Sequence, residues 1–255
     1  MKKIKKLLLS TLLIPTLAIT GCNSENVSLT IPQQETTVAT VSDAEMIYAY
    51  RTAVINTNAQ KELTSYYAAR DHKGSYTHKV VMFEDQIYLE LDTGDYAYFI
   101  YEDGEGYSYT CIDGIKSVEE GEEFSSFHAA MWNTFEADLS DSITVLEHSL
   151  KRKITDKYRN LTGDSAPQIS NESFTSNTTY AVVDNQYVIT VGVKYEYEDV
   201  SLYREYVYVF NDKIEKVFYL GYDDVEGDVD DFHYVVDLDY QADASLKETN
   251  FDSYK

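Results

Sequence analysis

The densest run of potential ligands in this 255-residue chain is Asp223-Asp224-Val225-Glu226-Gly227-Asp228-Val229-Asp230-Asp231. Calcium takes six to eight oxygens, and closely spaced carboxylates on a flexible loop can supply them. This run has neither the regular ligand alternation of an EF-hand nor its closing Glu, so a solvated acidic turn is the favoured reading and a weak cation site the alternative. The five histidines, His72, His78, His128, His148 and His233, have no helical zinc spacing and no neighbouring Cys. No serine-nucleophile motif occurs, and Ser125-Ser126 opens a predicted helix with no matching Lys pattern. Gly104-Glu105-Gly106 belongs to a predicted hairpin rather than to a phosphate-cradling loop. A carboxylate pair for glycoside chemistry cannot be singled out among 44 acids. The expectation is a non-enzymatic protein with no metal and no cofactor.

Tyrosine is the other over-represented type, with 24 copies. Tyr96, Tyr98, Tyr107 and Tyr109, together with Tyr195, Tyr197, Tyr206 and Tyr208, can line a groove for a glycan or peptide. Aromatic cross-strand pairs are also ordinary sheet stabilisers, and that reading carries more weight here.

The formal charge is −23. A surface of this sign repels nucleic acid and anionic lipid headgroups, and disfavours phosphate binding. It suits cations, basic partners, or solubility beside a charged envelope.

The N-terminus is the most specific signal in the chain. Met1-Lys2-Lys3-Ile4-Lys5-Lys6 is a basic start, Leu7 to Ile19 is a short apolar run broken by Pro15, and Ile19-Thr20-Gly21-Cys22 follows. That run is too short to span a bilayer and reads as an export signal. Cys22 directly after Gly21 resembles the lipobox of bacterial lipoproteins. The resemblance covers residues 1–22 and implies removal of residues 1–21, diacylation of the Cys22 thiol, and membrane anchoring through that lipid. Two acyl chains suffice for stable attachment. Loss of the four signal lysines leaves 17 basic against 44 acidic residues, a formal charge of −27. Cys111 is then the single thiol left. With no internal disulfide possible, it is expected as an inert residue on the packed face of a strand.

Residues 22–41 read as a flexible polar tether. Ser42-Asp43-Ala44-Glu45 is a capping box that starts a helix ending near Lys61, with Ala44, Ile47, Tyr48, Val54 and Ile55 expected on its buried side. Strands are expected at Tyr76–Phe83, Gln86–Asp92, Tyr96–Tyr101 and Tyr107–Ile112, with a short edge at Ile115–Val118. Acid-plus-Gly connections between them are hairpin chemistry. Phe124, Phe127, His128, Met131 and Phe135 predict a helix, preceded by Glu119, Glu120, Glu122 and Glu123. Ile143, Leu146, Leu150, Ile154, Tyr158 and Leu161 predict another, with a strand start at Ile143-Thr144-Val145 the alternative, and Thr162 to Pro167 breaking it. Strands return at Phe174–Val183 and from Gln186 to Tyr240, where alternation is clearest in Phe232, Tyr234, Val236, Leu238 and Tyr240. The acidic run is read as the loop before that last strand, and the polar tail after Asp243 is expected to fray.

The fold class expected is α+β: one large curved antiparallel sheet with helices on one face, built as a single domain over residues 42–243, or else two smaller α+β halves. Element order over residues 42–240 resembles the unclosed half-barrel of LolA/LolB-type and mycobacterial lipid-carrier lipoproteins. No residue motif accompanies that likeness, and the many Tyr at apolar positions depart from a wide apolar cavity. Two functions are carried forward. One is a tethered protein that binds or carries a lipid, aromatic small molecule or peptide. The other is an acidic structural lipoprotein that engages an envelope protein without a pocket. Replacing Cys22 by Ser should release the protein from the membrane fraction and remove the diacyl mass from the mature N-terminus. Intact-mass measurement that finds the wild-type thiol unmodified rules out the anchor.

Overall fold

The computed structural model describes residues 41–71, 74–102, 105–120, 135, 138–162, 174–197, 200–225 and 227–254. The expected signal segment, Cys22, the expected tether up to residue 40, the expected helix from Phe124 to residue 134, the expected breaker after residue 162, His72 and His128 lie outside them. Helix α1 spans Asp43–Asn58, and the Ser42/Glu45 capping box forms as read. Two meanders follow. The first comprises β1 (Leu63–Asp71), β2 (Gly74–Met82), β3 (Gln86–Leu91), β4 (Tyr96–Glu102), β5 (Glu105–Ile112) and β6 (Ile115–Glu120). After α2 (Leu139–Thr162) come β7 (Phe174–Val183), β8 (Gln186–Tyr197), β9 (Val200–Phe210), β10 (Ile214–Val225) and β11 (Asp228–Asp239). All pair antiparallel in one eleven-stranded, unclosed sheet ordered β6-β5-β4-β3-β2-β1-β11-β10-β9-β8-β7. The fold is therefore α+β around a single sheet.

Short turns explain the meanders. Asp113-Gly114 and Asp184-Asn185 take positive φ at both central positions, the geometry whose twist matches flanking strands. The seam between the meanders is β1 with β11, in register from Thr64 opposite Asp239 to Arg70 opposite His233. Leu63–Asp71 is a strand the periodicity does not disclose, because Leu-Thr-Ser-Tyr-Tyr-Ala-Ala-Arg-Asp has no alternation of apolar and polar residues. Glu119 and Glu120 end β6 rather than lead a helix.

Both faces of the sheet are packed, by different partners. The inner face carries α1 and α2 over Ile87, Ile189, Val191, Val193, Tyr208, Phe210 and Leu238. Tyr50 of α1 is fully buried, its ring 5.1 Å from Tyr208 and 5.7 Å from Phe210. Thr57 accepts from the Ile214 N–H (2.9 Å) and shares a hydrogen bond with the Tyr240 hydroxyl (3.0 Å). Tyr240 in turn donates to the Ile214 carbonyl, beside the register shift in β10. These contacts choose the buried side of α1: Met46, Tyr50, Ala53, Val54 and Thr57. Of the stripe expected there, Val54 is buried and Ile47 partly so. Ala44 is exposed, as are Tyr48 (74%) and Ile55 (62%). Apolar residues surround this helix on most sides, so spacing alone does not select a face. On α2 the expected Leu146, Leu150 and Ile154 are buried.

The outer face is covered at β2–β5 by the C-terminal tail. Instead of fraying, residues after Asp243 form two 3₁₀ turns, Ala244–Glu248 and Asp252–Tyr254. Phe251 stacks on Tyr109 at 4.3 Å and Tyr254 bonds Tyr96 through their hydroxyls at 3.0 Å. Polar composition hides this, since only Leu246, Phe251 and Tyr254 do the packing. Tyr254→Ala should lower unfolding free energy by about 2 kcal/mol, the value of one buried aromatic side chain, measured as a shift in urea midpoint; an unchanged midpoint refutes the docking of the tail.

Candidate ligand-binding face

Antiparallel register places Tyr206 (β9), Tyr219 (β10), Tyr234 (β11), Ala69 (β1) and Tyr76 (β2) in one lateral row on the inner face. Tyr67, His78 and Phe232 flank the row on the same face, because side chains two positions apart along a strand share a side. The rings touch in sequence. Tyr206 lies 5.0 Å from Tyr219, and Tyr219 is stacked with Tyr234 at 5.9 Å. Tyr234 is 5.2 Å from Phe232 and 6.0 Å from Tyr67, and Tyr67 stacks on His78 at 4.3 Å and lies 6.1 Å from Tyr76. Seven rings thus form one surface across five strands, half-buried in the main, with Ala69 as the small residue between Tyr234 and Tyr76. Helix α2 borders it, the Ser149 hydroxyl bonding that of Tyr219 at 3.1 Å.

Burial sets the protonation states. It raises the Tyr67 hydroxyl well above its ordinary value, helped by neighbouring Tyr76, and raises Tyr206 and Tyr234 as well. Burial also lowers His78, opposed by Asp92. These shifts favour the neutral forms of Tyr67, Tyr206, Tyr234 and His78, while the charges of Asp71 and Asp230 lie near the row and also act on Tyr234.

One end of the face is fixed by a buried charge cluster. Arg204 and Asp223 are each 3% exposed. They form a bidentate pair, Nη1 to Oδ1 at 2.6 Å and Nη2 to Oδ2 at 3.2 Å, and Lys153 of α2 reaches Asp223 at 2.9 Å. The guanidinium lies 4.8 Å over the Phe232 ring. Gly221 stands between them in the ladder, opposite both Arg204 and Phe232, and an added Cβ there would come within 2.0 Å of the Phe232 ring. Absence of a side chain at 221 is what lets Phe232 lie across β10 beneath the cation.

The acidic run is thereby corrected. It is no loop: Asp223, Asp224, Asp228, Asp230 and Asp231 lie in β10 and β11, which pair as far as Val225 opposite Asp228. Strand alternation separates Asp223 and Asp230 on the inner face from Asp224 and Asp231 on the outer. Among the described residues no His, Cys, Asp and Glu group is placed to hold a metal ion. The two Tyr groups do not share a groove. Tyr96, Tyr98, Tyr107 and Tyr109 pack with the tail on the outer face, whereas Tyr195, Tyr206 and Tyr208 belong to the inner core, with at least five strands between the two groups. Of the eight, Tyr206 joins the aromatic surface, and buried Tyr208 touches it from the core at 5.7 Å. Cys111 is half-buried beside Tyr96. His148 is exposed on α2, and His233 is on the outer face of β11. Tyr67, His78, Tyr76, Tyr219, Arg204 and Lys153 have no signal in the linear sequence beyond their types; alternation in β11 does point to Phe232 and Tyr234.

Removing one member of a buried ion pair leaves a charge without its partner, at about 3–5 kcal/mol. Asp223→Ala should lose that much in urea unfolding. The double replacement Arg204→Met with Asp223→Leu should lose less than the single one, and equal losses would show that the pair is not what fixes this end.

No family model matches the chain, and neither does any curated protein. Among solved structures, the MucA/MucB complex of Pseudomonas aeruginosa is similar with a TM-score of 0.33 and 9% identity, over 81% of this chain and 61% of that one. A crystal structure of MucB in complex with MucA(peri) gives 0.28 and 9%, over 80% and 59%. The chain thus spans about three-fifths of the length of the proteins it matches, and at these TM-scores the likeness carries no argument about function.

Proposed function

We propose that this chain is an extracytoplasmic lipoprotein, held to the membrane through Cys22, whose inner face binds a hydrophobic or aromatic ligand: a lipid, a small apolar molecule or a peptide. The observation that carries the binding reading is the continuous surface of seven rings from Tyr206 to Tyr76. Rings of this kind offer a large apolar area with few rotatable bonds, so little side-chain entropy is lost on contact. Their hydroxyls give a small number of directional bonds at the margins, the usual makeup of a ligand face. The formal charge of −23 opposes polyanions such as nucleic acid. Anchoring is supported by the lipobox-like Ile19-Thr20-Gly21-Cys22, and among the described residues no helix is long and apolar enough to cross a membrane.

Native mass spectrometry of the protein purified without its lipid should show a co-purifying apolar ligand. The double variant Tyr67→Ala, Tyr234→Ala should lose that ligand and weaken binding of an apolar fluorescent dye roughly tenfold, the equivalent of about 1.4 kcal/mol. Wild-type protein free of ligand, with dye binding unchanged in the variant, would favour the acidic envelope-interaction protein instead.

A further inference from the structure

The two edges of the sheet differ in kind. Strand β6 is six residues long and carries Lys116, Glu119 and Glu120. Strand β7 is ten residues long, Phe-Thr-Ser-Asn-Thr-Thr-Tyr-Ala-Val-Val, with no charge, Pro or Gly, in a chain of which 25% is charged. An unpaired strand edge is a template for another strand, and proteins ordinarily shorten, charge or interrupt it. At β6 that defence is present; at β7 it is missing. Among the described residues β7 pairs only with β8.

Turn geometry fixes which backbone groups face out. The two-residue turn Asp184-Asn185 makes Val183 and Gln186 a hydrogen-bonded pair, and antiparallel pairing alternates from there. Phe174, Ser176, Thr178, Tyr180 and Val182 therefore turn both N–H and C=O away from β8. The flanking charges are uneven. At the Phe174 end, among the described residues, the neighbouring cations have acidic partners: Lys151, over the Phe174 ring, with Glu147 (3.4 Å), and Lys194, opposite Thr175, with Glu196. At the turn end, Asp184 sits in the turn itself, and burial, with a smaller contribution from the charge of Asp43, raises the Tyr180 hydroxyl. Among the described residues no cation pairs with either acid. A second copy of this chain would bring the same net negative charge to the contact, so the complementary occupant is a different protein.

We infer that the outer edge of β7 is a strand-addition site for an extended segment of a partner protein, uncharged where it faces Ser176–Thr179 and basic where it passes Tyr180. This goes beyond the aromatic face, because it uses the backbone of the sheet edge and none of the rings from Tyr206 to Tyr76.

The probe is a ten-residue alternating Thr/Val peptide with two lysines at one end, compared with the same peptide carrying two glutamates. With the full chain, the lysine peptide should slow amide exchange at Ser176, Thr178 and Tyr180 and leave β6 unchanged. The glutamate peptide should bind at least tenfold more weakly. Ser176→Pro removes an outward N–H at an edge position that tolerates proline. It should lose at least tenfold in affinity with circular dichroism and thermal midpoint unchanged, and Ser176→Lys should also weaken the lysine peptide. The Tyr67→Ala, Tyr234→Ala variant should bind the peptide like wild type, which keeps this test separate from that of the aromatic face. No protection of β7 at millimolar peptide, protection at β6 instead, or equal binding of the two peptides would overturn the assignment. So would β7 amides protected without peptide in a concentration-dependent dimer, which would give the edge to a second copy.

Discussion

The antiparallel ladder between β1 and β11 is the constraint on which the molecule depends. It joins Thr64–Arg70 to His233–Asp239, residues far apart in sequence, and makes one sheet of two meanders that otherwise form only local hairpins. Such a pairing closes a very long loop, so its entropy cost must be met by the contacts it creates. Those contacts are also the candidate site. Tyr67 and Tyr234 meet across this seam at 6.0 Å, and the rings on either side of it come from different meanders. Loss of the seam would split the aromatic face as well as the sheet.

Once the sheet is single, its two faces take different work. On the inner face α1 and α2 pack, each tied down by specific hydroxyls as well as apolar burial: Thr57 on Ile214 and Tyr240, Ser142 on Tyr208 and Ser149 on Tyr219. Burial pushes the Tyr240 hydroxyl up to about 12, although its bond with Thr57 works against that. On the outer face the tail returns over β2–β5, so the last residues of the chain complete the packing of the first meander.

Arg204 shows how a buried ion pair can position an aromatic ring. Its bond to Asp223 fixes the guanidinium, Lys153 brings α2 to the same carboxylate, and the missing side chain of Gly221 lets Phe232 slide beneath the cation. The pair is a locating device more than a source of net stability, since burying two charges costs nearly what their attraction returns. Its consequence is a defined end to the row of rings.

Residue order alone set the local elements. The capping box at Ser42 and Glu45, the hairpin turns at Asp113-Gly114 and Asp184-Asn185, the buried stripe of Leu146, Leu150 and Ile154, and the alternation from Phe232 to Tyr240 each follow from interactions within a few residues, and the α+β class follows from their order. Tertiary structure decided the rest. Leu63–Asp71 became a strand because β11 and β2 were there to pair with it, and Tyr50 and Thr57 turned inward on α1 because Tyr208, Phe210 and Ile214 offered partners. The acidic run became a hairpin because Asp223 found Arg204 and Lys153. The aromatic face arose from lateral register, which places residues such as Tyr76, Tyr234 and Tyr219 side by side although no local pattern links them. Local rules reach only as far as one turn of helix or one hairpin, and long-range pairing settles everything that lies beyond.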